Sequence, residues 1–305
     1  MSEVAKSTRS RNEVIVVEGT TIKRYSELRR IFRVFFSRPL PVVGLVIIIV
    51  FLVIAIFGPW FAPYDPYEMD YSAVLVHPNN QHLLGTDWIG RDTLSRLIYG
   101  ARISLLIGIV VIALSVAIGV LFGLIAAISG SLLYNVIMRI TDGLMAFPSI
   151  LLALLVAGLL GSGVTNVIIA LTVGMIAPVI RITCGMALYI KETDYVLAAR
   201  ALGASTIRIM FLEILPNCFA PIIVMMTMGI GSVILAEAGL SFLGVGITPP
   251  TPVWGRMIND GYRFLLTNPE LSVSPGLAIM LVVFGFNMMG DGLRDALDPR
   301  LRGVV

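Results

Sequence analysis

Charge is scarce in this chain. Asp, Glu, Lys and Arg make up 13% of its 305 residues, apolar residues make up 57%, and the mean hydropathy is +0.92. That balance lies outside the range of soluble domains. Lysine occurs only as Lys6, Lys23 and Lys191, and none follows a glycine. A phosphate-cradling G-x-x-x-x-G-K-[ST] loop is therefore absent, and nucleotide hydrolysis has to come from another polypeptide. The two histidines, His77 and His82, fall outside every apolar run, and neither an H-E-x-x-H nor a G-x-S-x-G motif occurs. A membrane-embedded protease or hydrolase is accordingly not expected, nor is a metal site or a cofactor bound by this chain. The two cysteines, Cys184 and Cys218, read as small apolar fillers, with no disulfide between them. The net charge of +3 follows loop position, so it gives no support to a nucleic-acid role.

What the chain has in abundance is long uncharged runs. No charged residue occurs in Pro41–Phe61, Ile103–Met138, Gly143–Ile180, Ile214–Ala236 or Leu271–Gly290. A bilayer core of about 30 Å takes roughly 20 helical residues, so the run beginning at Gly143 holds two helices, divided at Gly161-Ser-Gly-Val-Thr-Asn166. The runs are continuously apolar and do not alternate, which points to helices and not a barrel. The expected fold is an all-α membrane protein with six transmembrane helices, near 42–62, 103–128, 137–160, 164–188, 217–243 and 273–292. Residues 1–41 form an N-terminal segment, 63–102 an external loop, and 103–305 a five-helix core.

Basic residues orient the spans. Nine Lys and Arg lie between Lys6 and Arg38; Arg181, Lys191, Arg200 and Arg208 flank the central loop; Arg294, Arg300 and Arg302 follow the last span. Pro63–Gly100 carries only Arg91 and Arg96 against five acids, and Gly246–Ser272 only Arg256 and Arg263. The positive-inside rule places both termini and the central loop in the cytoplasm. About 40 polar residues precede the first apolar run, so no cleaved signal is expected. Residues 1–25 lack apolar periodicity and are expected to be mobile, while Arg29–Phe36 suits a short amphipathic helix at the headgroups. The acidic excess of Pro63–Gly100 is read as the counterpart of the positive-inside bias.

Inside the spans, Gly119, Gly123 and Ala127 form a small-x-x-x-small series that lets another helix approach closely. Pro148 and Pro178 remove backbone donors and should bend their helices. Arg139 and Asp142 are one turn apart and are expected to pair with each other. Glu237 and Asn287 are candidate pathway or gating residues, with Thr141 a further candidate for touching cargo. So few intramembrane charges argue against an ion-coupled carrier acting alone.

The most informative stretch is a polar island between two apolar runs, Tyr195-Val-Leu-Ala-Ala-Arg-Ala-Leu-Gly-Ala-Ser-Thr-Ile-Arg208, followed by Glu213-Ile-Leu-Pro216. On a helix turning about 100° per residue, Ala198, Ala199, Leu202, Gly203 and Ser205 would share one largely small-residue face, suited to docking. This island resembles the cytoplasmic loop of permease subunits of bacterial ATP-binding-cassette importers: Ala198-Ala199, Gly203 three residues on, then nine residues and a segment ending Leu215-Pro216. Leu197 stands where that family has Glu, and Glu213 where it has an apolar residue. The likeness extends through His82–Leu105, Met145–Ser149, Ala236–Gly244, Pro249–Gly255 and Gly290–Pro299, which are similar to the second permease of dipeptide and oligopeptide importers.

The resemblance implies a type I importer permease fold in the bacterial inner membrane. It implies a second, homologous permease as partner, two ATPase subunits that hold ATP and magnesium, and an external solute-binding protein. It further implies a coupling helix near 198–209, with Ala198, Ala199, Arg200, Leu202, Gly203, Ala204, Ser205, Leu215 and Pro216 forming the ATPase-docking element. The expected cargo is dipeptides or oligopeptides, with nickel chelates or glutathione as the alternative.

Overall fold

A computed structural model describes residues 21–297. The expectation of mobility for residues 1–25 falls mostly on 1–20, which lie outside the described residues, as do Arg300 and Arg302. Residues 21–25 belong to a helix. Eleven helices occur among the described residues: α1 (Thr21–Ser37), α2 (Pro39–Phe61), α3 (Thr93–Ile128), α4 (Ser131–Met145), α5 (Ser149–Leu160), α6 (Val164–Ile190), α7 (Asp194–Ala201), α8 (Thr206–Arg208), α9 (Leu215–Phe242), α10 (Trp254–Tyr262) and α11 (Glu270–Leu297). A π-helical turn, Ile209–Ile214, joins α8 to α9.

Five helical segments are long and apolar enough to cross a membrane, and the bent pair α4–α5 makes a sixth if counted as one span. The single third helix expected at 137–160 is thus corrected to two, set at 91° to one another. Pro148 is the reason: it stands at the start of α5, where its missing N–H costs nothing and the residue before it is steered away from helical geometry. The helix that holds the second span begins at Thr93, ten residues before the expected start of the span near 103. Its 36 residues extend about 54 Å, longer than the hydrocarbon core, so its first turns project beyond the bilayer on the outer side. Asp92 caps this helix, accepting from Ser95 N at 2.8 Å and Ser95 Oγ at 2.7 Å. The second Asp92 oxygen lies 2.9 Å from His82 Nδ1, and the His82 ring lies tilted by 31° against Tyr64, at 4.8 Å between centroids.

The core forms in three connected parts. An inner cluster joins α3, α4, α6, α7 and α9 around Leu124, Ile137, Val196 and Ile214, and includes both cysteines, which are free and buried. A middle cluster packs α3, α5, α6 and α9. An outer cluster gathers α2, α3, α9, α10 and α11 around Trp254. The Trp254 indole donates to Leu97 O at 3.0 Å, meets Phe51 edge-on at 5.8 Å, and lies against Gly100, where a Cβ would approach it to 2.9 Å. The short helix α10 was not anticipated. Its buried residues Trp254, Gly255, Met257 and Gly261 show a helical period, but nine residues are too few to register as a span. At the inner end, Val34 and Phe35 of α1 pack against Ala296 of α11. The amphipathic segment at Arg29–Phe36 is therefore docked on the last span.

Candidate functional site

The central loop is built by two local rules. Helix α7 ends in a Schellman motif: Gly203, at φ +83°, donates to Arg200 O at 3.0 Å, and Ala204 N donates to Ala199 O at 3.0 Å. Only glycine adopts that left-handed geometry without strain. Two residues later the Ser205 hydroxyl accepts from Arg208 N at 3.3 Å and caps the next helix. The expectation of one continuous helix over 198–209 is corrected here. Ala198 and Ala199 lie on α7, Leu202 and Gly203 are its terminus, and Ala204 and Ser205 form a turn, because a left-handed glycine and an N-cap serine both interrupt an α-helix. Pro216 follows in the first turn of α9. Having no N–H, it removes one rung of the i→i−4 ladder, next to the π-turn at Ile209–Ile214.

The loop has a buried and an open side. Val196 (0% exposed), Ile209 (3%) and Met210 (6%) are packed into the inner core. Leu202 is 89% exposed and Ile207 68%. The loop is also tied laterally: Lys191, just after α6, donates from Nζ to Ala127 O at the end of α3 at 3.2 Å. The loop is thus in contact with α3, α6 and α9 through the inner cluster and this hydrogen bond. Arg200 and Ala204 line a small polar hollow behind it, with Lys191 and Thr206.

The stripe of small residues is the contact of α3 with α6. A Cβ on Gly119 would lie 2.5 Å from Val179 Cβ, and one on Gly123 would lie 2.7 Å from Thr183 Cβ and 2.9 Å from Ile180 O. Ala127 is 1% exposed at the same interface.

Two open grooves flank α9. The outer one, about 620 Å³, lies between α9 and α11; its lining includes Asn287, Phe242, Met280 and Phe284. The inner one, about 760 Å³, runs beside α6, α9 and α11; its lining includes Met225, Met228, Ser232, Asn217 and Arg294. Glu237 lines neither groove. It is fully buried, accepting from Ser241 Oγ at 2.7 Å, with Ser104 Oγ at 3.5 Å. Thr141 is equally enclosed and donates to Ile137 O of its own helix at 2.8 Å. Of the three candidate cargo residues, only Asn287 faces open space. The pairing expected between Arg139 and Asp142 is also corrected: Asp142 pairs with Arg181 of α6.

Beyond the membrane, the long segment 63–92 is held as an ordered cap. Asp87 accepts from Arg91 Nε at 2.7 Å, with Arg96 Nε at 3.7 Å. Arg96 also donates to Pro66 O at 3.0 Å. Asn268 donates to Leu75 O at 3.1 Å, joining the segment to the α10–α11 connection. His77 Nδ1 lies 3.2 Å from Glu270 Oε1. Asp260, one turn beyond Arg256 and 2.9 Å from its Nε, is pushed up by burial against the pull of Arg256, Arg91 and Arg96. From the sequence the acidic excess of this loop reads as the counterpart of the positive-inside bias, and the resemblance implies contact with the external binding protein; neither reading contains these pairings. The partners lie up to 193 residues apart, and spacing carries no trace of them.

The chain is similar to known proteins in sequence and in fold. The model of the family described as "Binding-protein-dependent transport system inner membrane component" matches residues 119–303, and that of "N-terminal TM domain of oligopeptide transport permease C" matches 26–81. The chain is 47% identical over 267 residues to the dipeptide transport system permease protein DppC of Escherichia coli K12, covering 86% of this chain and 89% of the relative. It is 43% identical over 266 residues to DppC of Haemophilus influenzae, covering 85% and 90%. It is also 43% identical over 257 residues to the glutathione transport system permease protein GsiD of Escherichia coli O6:K15:H31, covering 84% and 85%. In fold it is similar to a chain of the inward-facing MetNI methionine ABC transporter, with a TM-score of 0.55 at 18% identity, over 67% of this chain and 96% of that one. The chain belongs to the family of binding-protein-dependent transport system inner membrane components, as a multi-pass permease subunit of an importer.

Proposed function

We propose that this permease carries dipeptides or short oligopeptides, delivered by an external binding protein, along a pathway lined by α9 and closed by a second, homologous permease. ATP would be hydrolysed with magnesium on two partner ATPase subunits, one of them seated on α7. The observation that carries this reading is the central loop: Leu202 stands almost free at the end of α7, while Val196, Ile209 and Met210 anchor the same loop in the core. An exposed apolar end on a rigidly backed helix is suited to pass a rigid-body push, since coupling needs contiguous contact between two-state elements. The peptide cargo is supported by the names of the DppC relatives, and the GsiD relative makes glutathione, itself a tripeptide, the second reading.

ATP-driven uptake in proteoliposomes holding this chain, its partner permease and the ATPases tests the reading, with wild type compared to Leu202→Glu and Gly203→Trp. Nothing lies within 4 Å of a Cβ at Gly203, so the indole would project into the docking space. Both variants are expected to insert and to lose uptake, together with stimulation of hydrolysis by the binding protein. Normal uptake by both would remove α7 as the coupling element. Competition of labelled dialanine by glutathione, tripeptides and a nickel chelate then ranks the cargo.

A further inference from the structure

The two segments assigned to the outer side contain four bases between Pro63 and Gly100 and between Gly246 and Ser272, and folding brings all four together. Arg91 and Arg96 close on Asp87 from the α3 side. Arg256 closes on Asp260 of α10, and Asp260 in turn lies within electrostatic reach of Arg91, Arg96 and Asp87. Arg263 lines the same place from the end of α10. Three guanidinium groups thus close on two carboxylates, and the Arg263 guanidinium stands beside them unpaired among the described residues, so the cluster keeps a positive surplus.

Beside the cluster lies a cleft of about 230 Å³ lined by Trp88, Arg256, Asn259, Asp260, Arg263 and Phe264, into which two of the four arginines reach. Its donors are divided between structure and open space. The Asn259 amide is committed to Phe242 O at 2.7 Å, whereas Arg256 turns only its Nε toward Asp260, at 2.9 Å, and its two terminal nitrogens have no hydrogen-bond partner among the described residues. The Arg263 guanidinium and the half-exposed Trp88 indole have no hydrogen-bond or ion-pair partner among the described residues. The position of the cleft matters as much as its charge. Phe242, which holds Asn259, also lines the outer groove that includes Asn287, so the cleft lies next to that groove.

We propose that this cleft is a carboxylate-binding subsite at the outer mouth of the pathway, receiving the C-terminal carboxylate of a peptide on Arg263 and Arg256 while the last side chain rests on Trp88. A planar guanidinium offers two parallel N–H donors to a carboxylate, and an aromatic wall adds apolar contact without specifying a side chain. The volume admits about one terminal residue, which would let a carrier recognise peptides by their common end. The inference rests on the reading of α9 as part of a peptide pathway.

The test uses the assembled complex in nanodiscs with the binding protein left out. Dialanine, N-acetyl-dialanine and dialanine amide are titrated, and the signal is the part of the tryptophan fluorescence that disappears in Trp88→Phe. Dialanine and its N-acetyl form should give a saturable change, and the amide should bind about tenfold or more weakly. Arg263→Gln should weaken dialanine by about tenfold and Arg263→Lys by much less, since charge is kept and only the fork is lost. Equal binding of acid and amide, or no saturable change at all, overturns the proposal. So does an Arg263→Gln complex that binds dialanine normally but is no longer stimulated by substrate-free binding protein, which would make the cleft a protein-docking site. Uptake by the wild-type complex is measured in parallel. If it fails, the pathway reading falls and takes the subsite with it; if it proceeds without a carboxylate preference, the subsite alone is wrong.

Discussion

Asp142 on α4 pairs with Arg181 on α6, although Arg139 lies one turn away on Asp142's own helix. The pair bridges two elements 39 residues apart just before the elbow at which α5 departs from α4. It therefore braces the bent third span against the fourth. Both side chains are about half exposed, at 45% and 48%, so in this chain alone the pair faces outward and not into the core.

A half-exposed pair in water contributes about 0.5 kcal/mol. A double-mutant cycle with Asp142→Asn and Arg181→Gln, read by thermal denaturation of the assembled complex, should return a coupling of that order if water reaches the pair. A coupling above about 2 kcal/mol would mean that the second permease encloses it, because removing one partner then leaves a buried charge.

Gly123→Val is expected to disrupt the bundle. The new Cβ would meet Thr183 Cβ at 2.7 Å, Ile180 O at 2.9 Å and Cys184 N at 3.1 Å, and the last two are backbone atoms that cannot rotate away. Overpacking of this kind costs about 1–3 kcal/mol. Gly185→Ala, where nothing lies within 4 Å, should be tolerated. The yield of assembled complex after detergent extraction compares them, and equal yields would remove the α3–α6 contact as a determinant of the fold.

Glu237 is expected to act through its hydrogen bonds. Glu237→Gln keeps an acceptor for Ser241 Oγ at 2.7 Å and should retain uptake, whereas Glu237→Leu strands that hydroxyl and costs about 1–3 kcal/mol of stability. Melting temperature and uptake are measured for both. Loss of uptake in Glu237→Gln with an unchanged melting temperature would restore the gating role.

Gly203→Ala should loosen the end of α7, because an alanine at φ +83° carries a left-handed penalty of about 1–2 kcal/mol. Gly203→Asn, a residue better suited to that geometry, should lie between Ala and wild type. Amide hydrogen exchange over residues 194–205 reads the effect directly. Identical exchange in all three proteins would show that the Schellman turn does not hold the loop.

The sequence by itself determined the class of this protein. Uncharged runs of twenty residues have one stable solution in a bilayer, which is a helix, and the distribution of Arg and Lys gives the helices their direction. The small residues at 119, 123 and 127 could be seen as a contact face because helical spacing is local. So could the central island, since its glycine and proline mark turns wherever they stand. Tertiary structure decided what lies beyond one or two turns. It chose Arg181 over Arg139 as the partner of Asp142, turned Glu237 and Thr141 inward, and left Asn287 in an open groove. It also gathered Arg91, Arg96, Arg256 and Arg263 from two distant loops around Asp87 and Asp260. Charges so far apart in the chain meet only because the packing of α3, α10 and α11 brings their loops to one end of the bundle. Nothing in the local period of a sequence encodes that distance.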